Sequence, residues 1–172
     1  MSSMELLEIK NLNKMYDDKY VLRDINLKLS SGKIIGLLGK NGAGETTLIK
    51  LINDLLTPTS GEILIKGNKI GVETKKVISY LPERTYLNKQ MKVKEVLKYF
   101  DDFYDNFDIQ KAKKLLKDLD LDENQGLSKM SKGMQEKVQL ILVMSREADI
   151  YILDEPLGGV DPATRDYILD KF

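Results

Sequence analysis

The chain has 172 residues, with 27 Lys+Arg against 27 Asp+Glu and a formal net charge of zero, so it can bury one substantial core and carries no global field that would recruit nucleic acid or an anionic membrane. It contains no cysteine and no histidine, which excludes disulfides, thiol catalysis, Cys- or His-based metal sites and any histidine acting as general base or proton switch. The sequence opens without a basic patch and apolar core, and no apolar run approaches the ~20 residues that span a bilayer; the expectation is a cytosolic single domain that meets a membrane only through a partner.

In chain order, residues 6–9 and 21–29 read as half-buried antiparallel strands, the second alternating apolar and polar from Ile25 onwards. After a turn at residues 30–33, the run 33–38 is apolar on both faces, as a central parallel strand should be. A glycine-rich segment follows, and then Leu48, Leu51, Ile52, Leu55 and Leu56 recur at the spacing of a helix lying on that sheet. The segment 57–61 ends this helix. A short strand at 62–65, a turn at 66–68 and a further strand at 77–81 precede Pro82.

Residues 93–119 change character and read as two or three amphipathic helices forming a separate lobe. Helical spacing favours packing Tyr99, Phe100, Phe103 and Tyr104 into the lobe's core, the alternative being a surface that meets a partner. The basic face of Lys111, Lys113, Lys114 and Lys117 is balanced by neighbouring aspartates and reads as solvated. Residues 132–144 form a helix whose later part is apolar all round and therefore buried. Residues 150–153 are a second buried strand, and a last helix begins at Pro162.

Two segments carry chemistry. The first is the strand–loop–helix around Gly39, Gly42 and Gly44, whose glycines let successive N–H groups converge on one oxyanion while the helix beginning at Gly44 adds its positive end. This is the spacing G-x-x-x-x-G-K-[ST] of a phosphate loop, with Thr46 offering a hydroxyl to magnesium and Glu45 standing where the pattern has lysine. The residues lining the nucleotide would be Gly39, Lys40, Asn41, Gly42, Ala43, Gly44, Glu45, Thr46 and Thr47. The second is the strand 150–153 ending in Asp154 and Glu155, which puts one acid beside the loop to hold magnesium and the next where it can polarise an attacking water.

With these residues in order, the chain resembles the ATP-binding subunits of ABC transporters from Glu8 to its end. The resemblance implies an α/β fold of the P-loop NTPase (RecA-like) type: a mixed sheet with an N-terminal antiparallel β segment and an inserted helical subdomain at about residues 88–140 of a domain covering 4–172. It implies that Tyr16 stacks on adenine, that Glu83 occupies the Q-loop position usually held by glutamine and near magnesium, and that residues 130–135 correspond to the LSGGQ signature. Ser131, Gly133 and Gln135 would then meet the nucleotide bound by the opposite subunit, although Ser131 is equally an ordinary helix cap. Asp161, in the D-loop-like segment 158–162, would lie at the dimer interface. Residues 88–91 do not form the guanine-reading N-K-x-D, so adenine is the expected base.

What the resemblance implies is ATP-driven transport with magnesium. Two subunits would close head to tail over ATP, Glu155 activating water, and a separate permease would hold the pair at the cytoplasmic face of the membrane. Glu45 removes an attraction to polyphosphate, and the family's switch histidine has no counterpart among 172 residues that include none. The sequence also ends within what reads as a helix, so a fragment or a degenerate copy is expected, with an uncovered sheet edge prone to self-association. The alternatives are a nucleotide-responsive interaction module without turnover and, less favoured by zero net charge, a soluble ATPase acting on ribosomes or nucleic acid.

Overall fold

The computed structural model describes residues 5–31, 44–81, 87–153 and 162–170. They fall into two compact units, Met1–Ile78 and Ser79–Phe172.

The first unit is built on a four-stranded antiparallel sheet in the order β2-β1-β3-β4, from β1 (Glu5–Tyr16), β2 (Lys19–Ser30), β3 (Ser60–Ile65) and β4 (Asn68–Lys69). The two-residue connection between β1 and β2 has Asp17 at φ 45° and Asp18 at φ 62°; positive φ at both central residues is what a type I′ hairpin turn requires, and aspartate tolerates it. Both strands run longer than their apolar pattern suggests, because β1 contains an irregularity. Leu7 and Ile9 point inward, the register then shifts around Asn11 (φ 46°), and Leu12 becomes the next buried residue. One extra residue moves the apolar face from odd to even positions, which hides the alternation. Asparagine side chains bridge the irregularity: the Asn11 N–H donates to Asn26 Oδ1 at 2.9 Å, and the Asp24 N–H donates to Asn13 Oδ1 at 2.8 Å.

Helix α1 (Glu45–Ile52) packs on β2 and buries Leu48, Ile49, Leu51 and Ile52. It stops earlier than the apolar spacing predicts. Asn53 caps it, and Asp54 takes φ 58°, so Leu55 falls out of helical phase and is 57% exposed. A single turn, α2 (Val72–Lys75), follows β4.

The second unit contains all but the first residue of β5 (Ile78–Leu81), which pairs with β6 (Ile150–Leu153), and helices α3 (Val93–Phe103), α4 (Ile109–Asp118), α5 (Lys132–Met144) and α6 (Pro162–Leu169). Its core joins Val93, Val96 and Leu97 of α3, Ala112, Leu115 and Leu116 of α4, and the second half of α5. That half of α5 is buried on all sides, as its composition predicts, whereas β6 is half-buried, not fully buried. The Ser79 hydroxyl donates to the Val143 carbonyl at 2.8 Å, satisfying an end-of-helix acceptor that would otherwise be orphaned. No helix among the described residues is long and apolar enough to cross a membrane.

The aromatic residues of α3 divide. Phe100 and Tyr104 pack against the core with the buried Phe107, whereas Tyr99 is 57% and Phe103 65% exposed. The core stripe of α3 is 93, 96, 97 and 100, and positions 99 and 103 lie off it. The two exposed rings stack on each other, 5.9 Å apart and 9° from parallel.

Gly61 and Gly67 both have positive φ, at +85° and +81°, but a Cβ on Gly61 would sit 2.2 Å from the Asn11 carbonyl oxygen, whereas none would meet anything within 4 Å at Gly67. Alanine at Gly67 is expected to cost only the left-handed penalty of about 1–2 kcal/mol. Alanine at Gly61 adds overpacking against backbone, for a total of roughly 2–5 kcal/mol; urea unfolding of the two variants side by side checks the difference.

Candidate functional site

Of the residues singled out by the sequence, Gly39, Lys40, Asn41, Gly42, Ala43, Glu83, Asp154, Glu155 and Asp161 lie outside the described residues, as does the strand expected at 33–38. Tyr16, Gly44, Glu45, Thr46 and Thr47 belong to the first unit, and Ser131, Gly133 and Gln135 to the second.

Gly44 is the N-cap of α1. Its φ of +96° is left-handed, and a Cβ there would meet Leu22 Cδ2 at 2.8 Å and the Val21 carbonyl at 2.9 Å, so glycine is required both by torsion and by its seat against β2. The Gly44 carbonyl accepts the first intrahelical bond, from the Leu48 N–H at 2.9 Å. Glu45, Thr46 and Thr47 occupy the first turn, where N–H groups have no intrahelical acceptor, and Gly44 supplies no capping side chain. Such an end suits an anion held by backbone donors. The Thr46 hydroxyl fits an oxygen-coordinated magnesium by donor type. Glu45 does not suit the anion: its carboxylate complements the helix dipole by about 0.3–1 kcal/mol but repels phosphate by about 4 kcal/mol at ~4 Å and an effective dielectric of ~20.

The second helix terminus, at α5, is built differently. Ser131 is the N-cap, and its hydroxyl accepts from the Met134 N–H at 3.2 Å. Lys132 and Gly133 lie in the first turn with N–H groups that lack intrahelical acceptors. Gln135, half-buried, turns its carboxamide back along the chain and donates to the carbonyls of Leu127 at 2.8 Å and Met130 at 3.2 Å. The ordinary capping role of Ser131 is therefore realised, and Gln135 has a structural use that the sequence did not reveal.

Tyr16 ends β1 at the hairpin turn and is 45% exposed. Lys14, whose ammonium donates to the Thr57 carbonyl at 2.8 Å, stands 5.0 Å from the centre of its ring. A cation over a ring face is a modest attraction at an exposed site, and it gives the tyrosine a fixed neighbour. Lys14 was not legible as part of this site, since its link to Thr57 joins residues 43 positions apart.

Residues 22–158 match the family described as ABC transporter. Among curated relatives, the ABC transporter ATP-binding protein YtrB of Bacillus subtilis is 31% identical, over 95% of this chain and 57% of its own length. The manganese transport system ATP-binding protein MntB of the same organism is 33% identical, over 95% of this chain and 69% of its own. The SkfA peptide export ATP-binding protein SkfE, also from B. subtilis, is 30% identical, over 96% and 72% respectively. The chain thus spans a little over half of YtrB and about seven-tenths of the other two. A solved structure of an ATP-binding subunit of an ABC transporter superposes with a TM-score of 0.86 at 32% identity, over 96% of this chain and 72% of that one. A putative ABC transporter ATP-binding protein from Pyrococcus furiosus gives 0.82, also at 32% identity, over 95% and 82%. These similarities establish the P-loop NTPase fold and account for the antiparallel strands β1 and β2 that precede α1.

Replacing Ser131 with alanine removes the one side-chain acceptor at the start of α5 and is expected to lower stability by about 1 kcal/mol, and Ser131→Asp should restore it. Chemical denaturation of the three chains measures both changes.

Proposed function

The chain belongs to the ABC transporter ATP-binding family, and on that premise we propose that it is the ATP-binding part of a subunit that powers transport through a separate membrane permease. The observation that carries this reading is the entry into α1, where left-handed Gly44 lies close against β2 and leaves a helix N-terminus without a capping side chain. In this proposal the loop residues Gly39, Lys40, Asn41, Gly42, Ala43 and Gly44 cradle the phosphates with their N–H groups, and Thr47 supports them from the first turn of α1. Tyr16 stacks on the adenine. Thr46 and Asp154, with Glu83 nearby, hold magnesium, which supplies charge neutralisation for the phosphates. Glu155 orients the attacking water. A second subunit, placed head to tail, presents Ser131 and Gly133 across the nucleotide, and Asp161 lies at the contact between the two. The permease tethers the pair to the cytoplasmic face of the membrane. Cargo selection is assigned to the permease, since relatives named for manganese transport and for peptide export match at 33% and 30% identity.

Glu45 sets the limit on this chain. Replacing an attraction by a repulsion, each on the order of 4 kcal/mol near the phosphates, outweighs what backbone donors provide and also removes a charge that stabilises the transferring phosphoryl group. The chain therefore binds MgATP weakly and hydrolyses it at background rate. Calorimetric titration of MgATP into the unaltered chain and into Glu45→Lys tests this, the variant being expected to bind tighter by about a hundredfold or more. Equal affinities would overturn it and favour a nucleotide-sensing module without turnover, the reading that Glu45 itself supports.

The exposed rings of Tyr99 and Phe103 stand among Asp101, Asp102 and Asp105, all exposed. In this proposal they receive a basic, amphipathic segment of the permease. Tyr99→Ser together with Phe103→Ser should leave MgATP affinity and melting unchanged while reducing co-purification with the permease by about tenfold; unchanged co-purification would remove this surface from the proposal.

A further inference from the structure

We propose that Gln135 acts as a positioning residue, a clasp that holds the N-terminus of α5 in the geometry an anion requires, and does not itself contact the nucleotide. This deepens the reading above and rests on it, because it takes the α5 terminus to be the surface presented to a neighbouring subunit's nucleotide.

The carboxamide nitrogen carries two hydrogens, and both are spent within the chain, on Leu127 O at 2.8 Å and Met130 O at 3.2 Å. Both acceptors are carbonyl oxygens, so the amide can face them only with its nitrogen; turned over, it would set oxygen against oxygen. Leu127 and Met130 bracket the 3-10 turn Leu127–Lys129 and are both buried. The far side of the same segment is laced to the chain just ahead of and within the start of α3. The Leu127 N–H donates to Met91 O at 3.0 Å and the Ser128 N–H to Lys89 O at 3.0 Å, while Val93 and Lys94 donate to Gln125 O at 3.1 Å and Glu123 O at 2.8 Å. The turn is thus tied on one side to residues 89–94 and on the other to one side chain of α5. Ser131 follows directly, in extended backbone at φ −63° and ψ 163°, and the direction of its hydroxyl and of the free N–H groups behind it depends on where the turn ends. Removing the clasp leaves the Met130 carbonyl without its donor and the Leu127 carbonyl with only the Met130 N–H, at 3.1 Å, and frees Met130 and Ser131 to rotate.

The test uses the full chain carrying Glu45→Lys, alone and with Gln135→Leu or Gln135→Glu. Three quantities are read: hydrogen exchange at the amides of Leu127, Ser128 and Met130, MgATP affinity by calorimetry, and MgATP-driven self-association by sedimentation. If Gln135 is a clasp, Gln135→Leu speeds exchange at those amides and weakens self-association, each by about tenfold, while affinity for MgATP in one subunit stays within about twofold. Gln135→Glu behaves alike at pH 8 and regains part of the protection at pH 5, where a protonated carboxyl can again donate; a residue that merely fills space would show no such return. Unchanged exchange in Gln135→Leu, or a fall in single-subunit affinity, overturns the proposal. If the Glu45→Lys parent does not self-associate with MgATP, the paired-subunit reading fails, and the exchange measurement still decides the clasp: lost protection upholds it and unchanged protection overturns it.

Discussion

The second unit depends on the burial of one helix. Residues 138–144 of α5 are all buried, Gln139 among them, and Val138, Leu140, Ile141 and Leu142 are at most 1% exposed. A helix that is apolar all round needs a neighbour on every side, and α3, α4 and α6 all contact it while Ser79 of β5 takes up its Val143 carbonyl. At about 1.5–3 kcal/mol for each large aliphatic side chain taken out of water, this half of α5 cannot shift without dismantling the unit. Its first turn, with Ser131 and Gly133, is accordingly the exposed end of a fixed rod, and only the turn that leads into it needs separate restraint.

The entry to α1 shows a conflict between two levels of the same physics. An acid in the first turn is a good helix residue, and by that local criterion Glu45 improves on the lysine that the phosphate-loop pattern places there. In the proposed function the ligand criterion reverses the sign, because the helix end that welcomes one carboxylate is the end assigned to phosphate. Two anions would then compete for one positive terminus, and the larger energy would lie with the polyphosphate. The fold is therefore indifferent or slightly favourable to Glu45, while the chemistry is not.

How much of this was legible in the sequence follows from which residues carry local signals. The antiparallel segment, the glycine loop's helix, the lobe and the buried end of α5 could all be read from periodicity, because their apolar residues answer to one period each. Strand β1 could not be read in full, since the displacement at Asn11 breaks its alternation and the polar run through Lys14 hides a paired strand. The phase of α3 was present in Val93, Val96, Leu97 and Phe100, and it already excluded Tyr99 and Phe103 from the core; a simple count of aromatics obscured that. At the site, Ser131 announced itself as a cap by type and place. Gln135 did not, because its acceptors are main-chain carbonyls eight and five residues earlier, and backbone acceptors leave no mark on the sequence.

The tight β1–β2 hairpin bears on how the chain acquires its structure during synthesis. Its partners are near neighbours in sequence, so loop closure is cheap and contact order low, and β3 completes the sheet once residues 60–65 have emerged. The unit ending at Ile78 is then available before α5, which begins at Lys132, has been made. At ~5–20 residues per second that interval is roughly 3–11 s. Throughout it β2 is an edge strand, and its exposed Lys19, Arg23 and Lys28 are the charges that discourage a nascent sheet from pairing with the sheet of a neighbouring chain on the same polysome.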